Sequence, residues 1–248
     1  MLPKVDLSDI ADELTRLGDE IQRVYDDSEQ AVEPAPQVSL NGLAHLLDAV
    51  RAGEAEPRGE PAQVLRPVTG AEPDVLLEHG LGLLRQLSEV ARRLNLESQA
   101  QAVEVLAVPF ACWMLRRGGE LQHPQDVVNA LAALADRVSQ PEELAELYGL
   151  MGEIAEGIGA DRIHGMDPSD PTDPWLVLLI NRGIVATRSQ QPALMEEAFN
   201  AIGEQLPEHA PYFFREGMGQ MEALNYPTHV REVMQRYFEK WCSGQRLH

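Results

Sequence analysis

The chain has 248 residues, 44% hydrophobic and 24% charged, a balance that folds and is long enough for one large domain or two small ones. Forty acidic residues against twenty lysines and arginines give a net charge of −20, a field that repels phosphates and argues against a nucleic-acid partner. No apolar run approaches the roughly 20 residues of a membrane span, so membrane contact is not expected.

The opening Met1-Leu2-Pro3-Lys4-Val5-Asp6 lacks a basic-then-apolar leader. Two cysteines, Cys112 and Cys242, are too few for a disulfide framework. The expectation is a cytoplasmic protein with reduced thiols.

In chain order, residues 6–30 predict a helix capped by Asp6 or Ser8. Leu7, Ile10, Leu14, Leu17, Ile21 and Val24 form a heptad seam on it. The seam needs cover, either from the chain's own body or from a second copy in a homodimer. Glu33-Pro34-Ala35-Pro36 ends the helix. Ser39 or Asn41 starts a shorter one, closed by Gly53. Prolines 57, 61 and 67 with Gly59 and Gly70 then predict an extended connection over 53–72.

Further helices are expected near 73–95, 97–118, 124–139, 141–159, 174–189, 191–206, 209–224 and 227–242. Seven of them carry a proline at the first turn, where its missing N–H costs nothing. Pro109 should kink the 97–118 helix. Strand signals are poor. Val177–Ile180 is the best local candidate, yet its apolar pattern continues to Val185 at helical spacing. The domain division that follows is an N-terminal arm (1–52), a connection (53–72) and a helical domain (73–248).

Acidity is concentrated. Residues 119–173 hold twelve acids and two bases, which makes a solvated face or a docking surface for a basic protein. The prolines are also rhythmic: Pro141, Pro174 and Pro211 form one series, Pro124, Pro192 and Pro227 another, with a period near 34–35 residues. The second slot of the latter series falls on 161–173, which is too rich in Asp and Pro for a regular helix.

In the best stretch Gly183 occupies the small position of a first helix, Phe199 the aromatic of a second, and Pro207 the closing proline. Over at most residues 124–242 this resembles the tetratricopeptide-type helical repeats. Arg182 and Ala186 depart from that pattern, standing where leucine and an aromatic are usual. The resemblance implies a right-handed superhelix of helix pairs with a concave face used for protein binding. The fold expected is therefore all-α, with antiparallel helix pairs stacked as a short α-solenoid; an irregular helical bundle is the alternative.

Chemistry-bearing clusters are sparse. None of the seven histidines pairs at metal-ligand spacing, so no metal site is expected. Asp167, Asp170 and Asp173 lack the rest of a calcium loop, and Asp173 reads as the cap of the helix after it. Cys112 sits in an apolar helix with no base beside it. There is no phosphate loop or nucleophile elbow, and no cofactor is expected.

The richest segments are 174–189 and 211–227. Asn181, Arg182 and Arg188 interrupt the first. Arg215, Glu216 and Tyr226 lie on the second, and these six are the candidate binding residues. Arginines on so apolar a helix need carboxylates, from Glu216, Glu222 or the acids of 142–156. The function expected is a non-catalytic interaction, adaptor or assembly protein with a basic protein partner. The rival is an all-α enzyme or small-ligand binder with a polar pocket around Arg182, Arg188 and Glu216.

Overall fold

The computed structural model describes residues 2–28, 32–54, 71–159, 167 and 170–242. Among these the regular structure is helical; the one β element is an isolated bridge between Leu121 and Ile158. The helices are α1 (Leu7–Asp27), α2 (Pro36–Glu54), α3 (Pro73–Arg93), α4 (Glu97–Val105), α5 (Ala107–Leu115), α6 (Gln125–Arg137), α7 (Pro141–Gly157), α8 (Pro174–Arg188), α9 (Pro192–Gln205), α10 (Ala210–Ala223) and α11 (Thr228–Cys242). The protein is all-α.

The chain forms two compact units. The first comprises Leu2–Ala133 and Glu153–His164, the second Leu134–Gly152 and Gly165–His248. In the first unit α1 packs on α2, α4 and α5, and α2 packs on α3. Residues 55–70 of the expected connection lie outside the described residues.

Asp6, not Ser8, caps α1: its Oδ1 accepts from the amides of Ser8 and Asp9 at 2.8 and 3.2 Å. Leu7, Ile10, Leu14, Leu17 and Ile21 are buried within this unit, and Val24 is half-buried. A homodimer through the seam would first have to expose those residues.

Helix α2 begins earlier than its polar residues suggest, at Pro36. Ser39 is not its cap but a buried residue, and its hydroxyl donates to Gln86 Oε1 at 2.7 Å. The expected 97–118 helix is two helices meeting at Leu106, because Pro109 has no N–H to give the carbonyl of Val105. Every residue from Ala107 to Met114 is buried. Cys112 is one of them; burial pushes its thiol up to about 12, as befits a core residue.

In the second unit α8 packs on α9, α10 on α11, and α9 meets α11. Such pairing suits a short solenoid and a bundle equally. Asp173 Oδ1 caps α8 through the amides of Trp175 and Leu176, and its Oδ2 accepts from the amide of Asp167. Val177–Ile180 lies inside α8. The core is aromatic: Phe199 meets Phe213, Phe214 and Tyr237 edge-on, with centroids 5.2–5.6 Å apart. Gly183 permits this closeness. A Cβ there would lie 2.7 Å from both Ile202 Cδ1 and Phe213 Cζ.

Candidate functional site: a groove between α8 and α10

Helices α8 and α10 meet at Gly183 and Phe213 but otherwise leave a groove of about 610 Å³ between them. Both run in the same direction, because Arg188, at the end of α8, shares a small cleft with Leu224 and Tyr226, just past the end of α10. Val177, Ile180 and Ile184 form one wall; Phe213, Met221 and Leu224 line the other side, with Met234 of α11 beneath.

The spacing of Val177, Ile180 and Ile184 places them on one stripe of α8. Leu178, Leu179, Val185 and Ala186 are buried on the rest of its surface. The helix is apolar on two faces, and the unit's own core covers only one of them.

Five large hydrophobic residues are notably exposed among those described. Three of them border this groove: Ile184 at 41%, Tyr212 at 68% and Leu224 at 63%. Keeping such residues together in water is unfavourable, and clustered exposure of this kind marks interaction sites.

Four of the six candidate binding residues line the groove: Asn181, Arg188, Glu216 and Tyr226. Glu216 forms no ion pair or hydrogen bond among the described residues. Arg188 does not find the carboxylate expected of it. Its two terminal nitrogens donate to the carbonyl oxygens of Ala135 and Val138, at 2.5 Å each, and so satisfy the end of α6. Burial raises the phenol of Tyr226 above its ordinary value, and the nearby charge of Arg188 opposes this.

Arg182 and Arg215 are outside the groove. Arg182 is six residues before Arg188, which turns it about 120° around the helix. Its guanidinium lies 4.2 Å over the ring of Tyr148 and donates to Glu197 of α9 at 2.6 Å. Its carboxylate is thus on the neighbouring helix of its own pair, not on Glu216, Glu222 or the 142–156 segment. The lack of a side chain at Gly152 leaves room for it; a Cβ there would come within 3.3 Å of Arg182 Nη2. Arg215 is exposed and, as the immediate neighbour of Glu216, points away from it.

The residues that sequence reasoning missed are Ile184, Tyr212, Leu224 and Gln220. The available signal was the second apolar stripe of α8, which exceeds what one core contact needs. In chemical terms the groove offers apolar area, the amides of Asn181 and Gln220, the Glu216 carboxylate, the His209 imidazole, the hydroxyls of Thr187, Tyr212 and Tyr226, and a guanidinium already committed to carbonyls. Among the described residues no group of three His, Cys, Asp or Glu side chains is placed to hold a metal ion.

No family model matches the chain, and no match was found among curated proteins or solved structures.

Proposed function

We propose that the protein is a non-catalytic adaptor or assembly factor, and that its second unit docks a segment of a partner protein in the α8/α10 groove. The observation that carries this is the exposed apolar rim. Ile184, Tyr212 and Leu224 line the groove yet stand 41–68% exposed, and a protein segment laid along it would cover them together. Less supports the rival polar pocket: Arg182 lies over Tyr148 and donates to Glu197, and Arg188, though in the groove, donates to two carbonyls.

The α8–α9 and α10–α11 pairs are read here as two repeats of the tetratricopeptide type, with their first helices presenting the binding face. Among the described residues no helix is long and apolar enough to cross a membrane, and the proposed place of action is the cytoplasm.

Site-specific photocrosslinking in cells tests this. A crosslinker replacing Tyr212 should give discrete protein adducts that disappear when Ile184→Arg is added. A crosslinker at Val38, which is also exposed but lies on α2, should not give them. Identical adducts from both positions would remove the groove from consideration.

A further inference from the structure

Building on that groove reading, we infer that the segment it accepts is an amphipathic α-helix of about three turns, carrying a basic residue that pairs with Glu216. The first argument concerns backbone polarity. An extended peptide brings an N–H and a C=O at each residue, and each buried group left unpaired costs about 1–3 kcal/mol. The groove lies between two helices whose own backbone groups are internally bonded, so it has no sheet edge to pair with. Beyond the Glu216 carboxylate, Asn181, Gln220 and the hydroxyls of Tyr212 and Tyr226 are its polar side chains without a hydrogen bond among the described residues, fewer than the N–H and C=O groups of an extended chain laid along it. A helix satisfies its own backbone and needs only side-chain contacts.

Shape agrees. The lining of α8 runs from Leu176 to Arg188, about 18 Å at 1.5 Å per residue, which is slightly more than three turns. Two helices running side by side present a trough into which the ridge of a third helix fits. The occupant then has apolar residues at i, i+3 or i+4, and i+7, set against Ile180, Ile184 and Phe213.

Charge supplies the register. Glu216 lines this largely apolar groove with no partner among the described residues, and the guanidinium of Arg188 is turned to the end of α6. A lysine or arginine of the occupant, beside its apolar stripe, neutralises Glu216 as the rim closes. A chain of net charge −20 draws a basic segment toward it from a distance.

The test is selection of a displayed library of random 16-residue peptides on the full chain, with a counter-selection on the Ile184→Arg/Leu224→Arg variant. Enriched peptides should show the helical apolar spacing with a basic residue beside it, and a central proline should abolish binding. Changing the basic residue to Glu should weaken binding about tenfold, and Glu216→Lys in the protein should restore it. Glu216 is exposed, so circular dichroism of Glu216→Lys should match wild type. Groove-dependent peptides without helical spacing, or insensitive to the charge swap, would overturn this inference but leave the groove as a docking site. Peptides that bind the double-arginine variant equally well, or no enrichment at all, would overturn both.

Discussion

The two units are built from the same parts and finish differently. In the first, the α1 seam is covered by α2, α4 and α5, and α5 is buried from Ala107 to Met114. Its exposed hydrophobic residues, Val38 and Val75, are set on different helices, α2 and α3. In the second, the helix pairs close around an aromatic core, yet α8 keeps an outward stripe and α10 faces it across open space. Surplus apolarity beyond what the core consumes is the physical trace of a task other than folding.

The contrast can be broken most severely at its cores. Phe199→Ala should cost about 3–5 kcal/mol and loosen the second unit selectively. Leu17→Ala should cost about 2–5 kcal/mol and act on the first. Hydrogen exchange resolved by peptide reports which unit opens; equal loss of protection in both would mean that they unfold as one. Gly183→Ala should cost about 1–3 kcal/mol, because the added methyl meets Phe213 and Ile202, and urea denaturation would show it.

Alkaline pH sharpens the same comparison. Cys112 in the first unit is held at about 12 against an ordinary 9.0, and Tyr148 in the second is raised from 10.0, both chiefly by burial. The folded state therefore keeps these protons more tightly than the unfolded state. That stability is fully present below pH 9 for Cys112 and below pH 10 for Tyr148, and is lost as pH rises through the folded values. Cys112→Ala should flatten the fall in Tm that begins near pH 9. Tyr148→Phe should flatten the part that begins near pH 10. Unchanged pH profiles would mean that neither group titrates from a buried state.

A smaller effect is expected at the Arg182 pair. Glu197→Ala should destabilise by about 1 kcal/mol, since Glu197 itself is largely exposed, and Arg182→Met by less. The first leaves a guanidinium that is only 15% exposed without its carboxylate, whereas the second removes the charge altogether. Thermal melts that reverse this order would show that the guanidinium contributes more through the Tyr148 ring than through the ion pair. Smallest of all, Ile184→Ser should leave stability within about 0.5 kcal/mol of wild type while abolishing the Tyr212 crosslinks.

Much of the fold was legible because helix signals are local. The Asp6 and Asp173 caps and the first-turn prolines each act within one or two turns, and the heptad seam repeats in steps of three and four residues. Ser39 escaped, since nothing near it in sequence announces Gln86, 47 residues away. The same limit applied to the arginines. Their need for partners was readable from the apolar surroundings, but not that Glu197 would serve one and the last carbonyls of α6 the other. The groove was half legible: its polar residues stood out, while its exposed apolar rim depends on which faces remain uncovered after packing.

Arg188 holds two posts at once. It finishes α6 by gripping two carbonyl oxygens, and it stands in the wall of the groove. Lysine has the same charge but a single ammonium in place of a planar fork, and it would reach the two oxygens less well. Among descendants of this chain, change at that position is therefore constrained from two directions. A lineage that reshapes the groove there must also find a new way to end the helix that Arg188 closes.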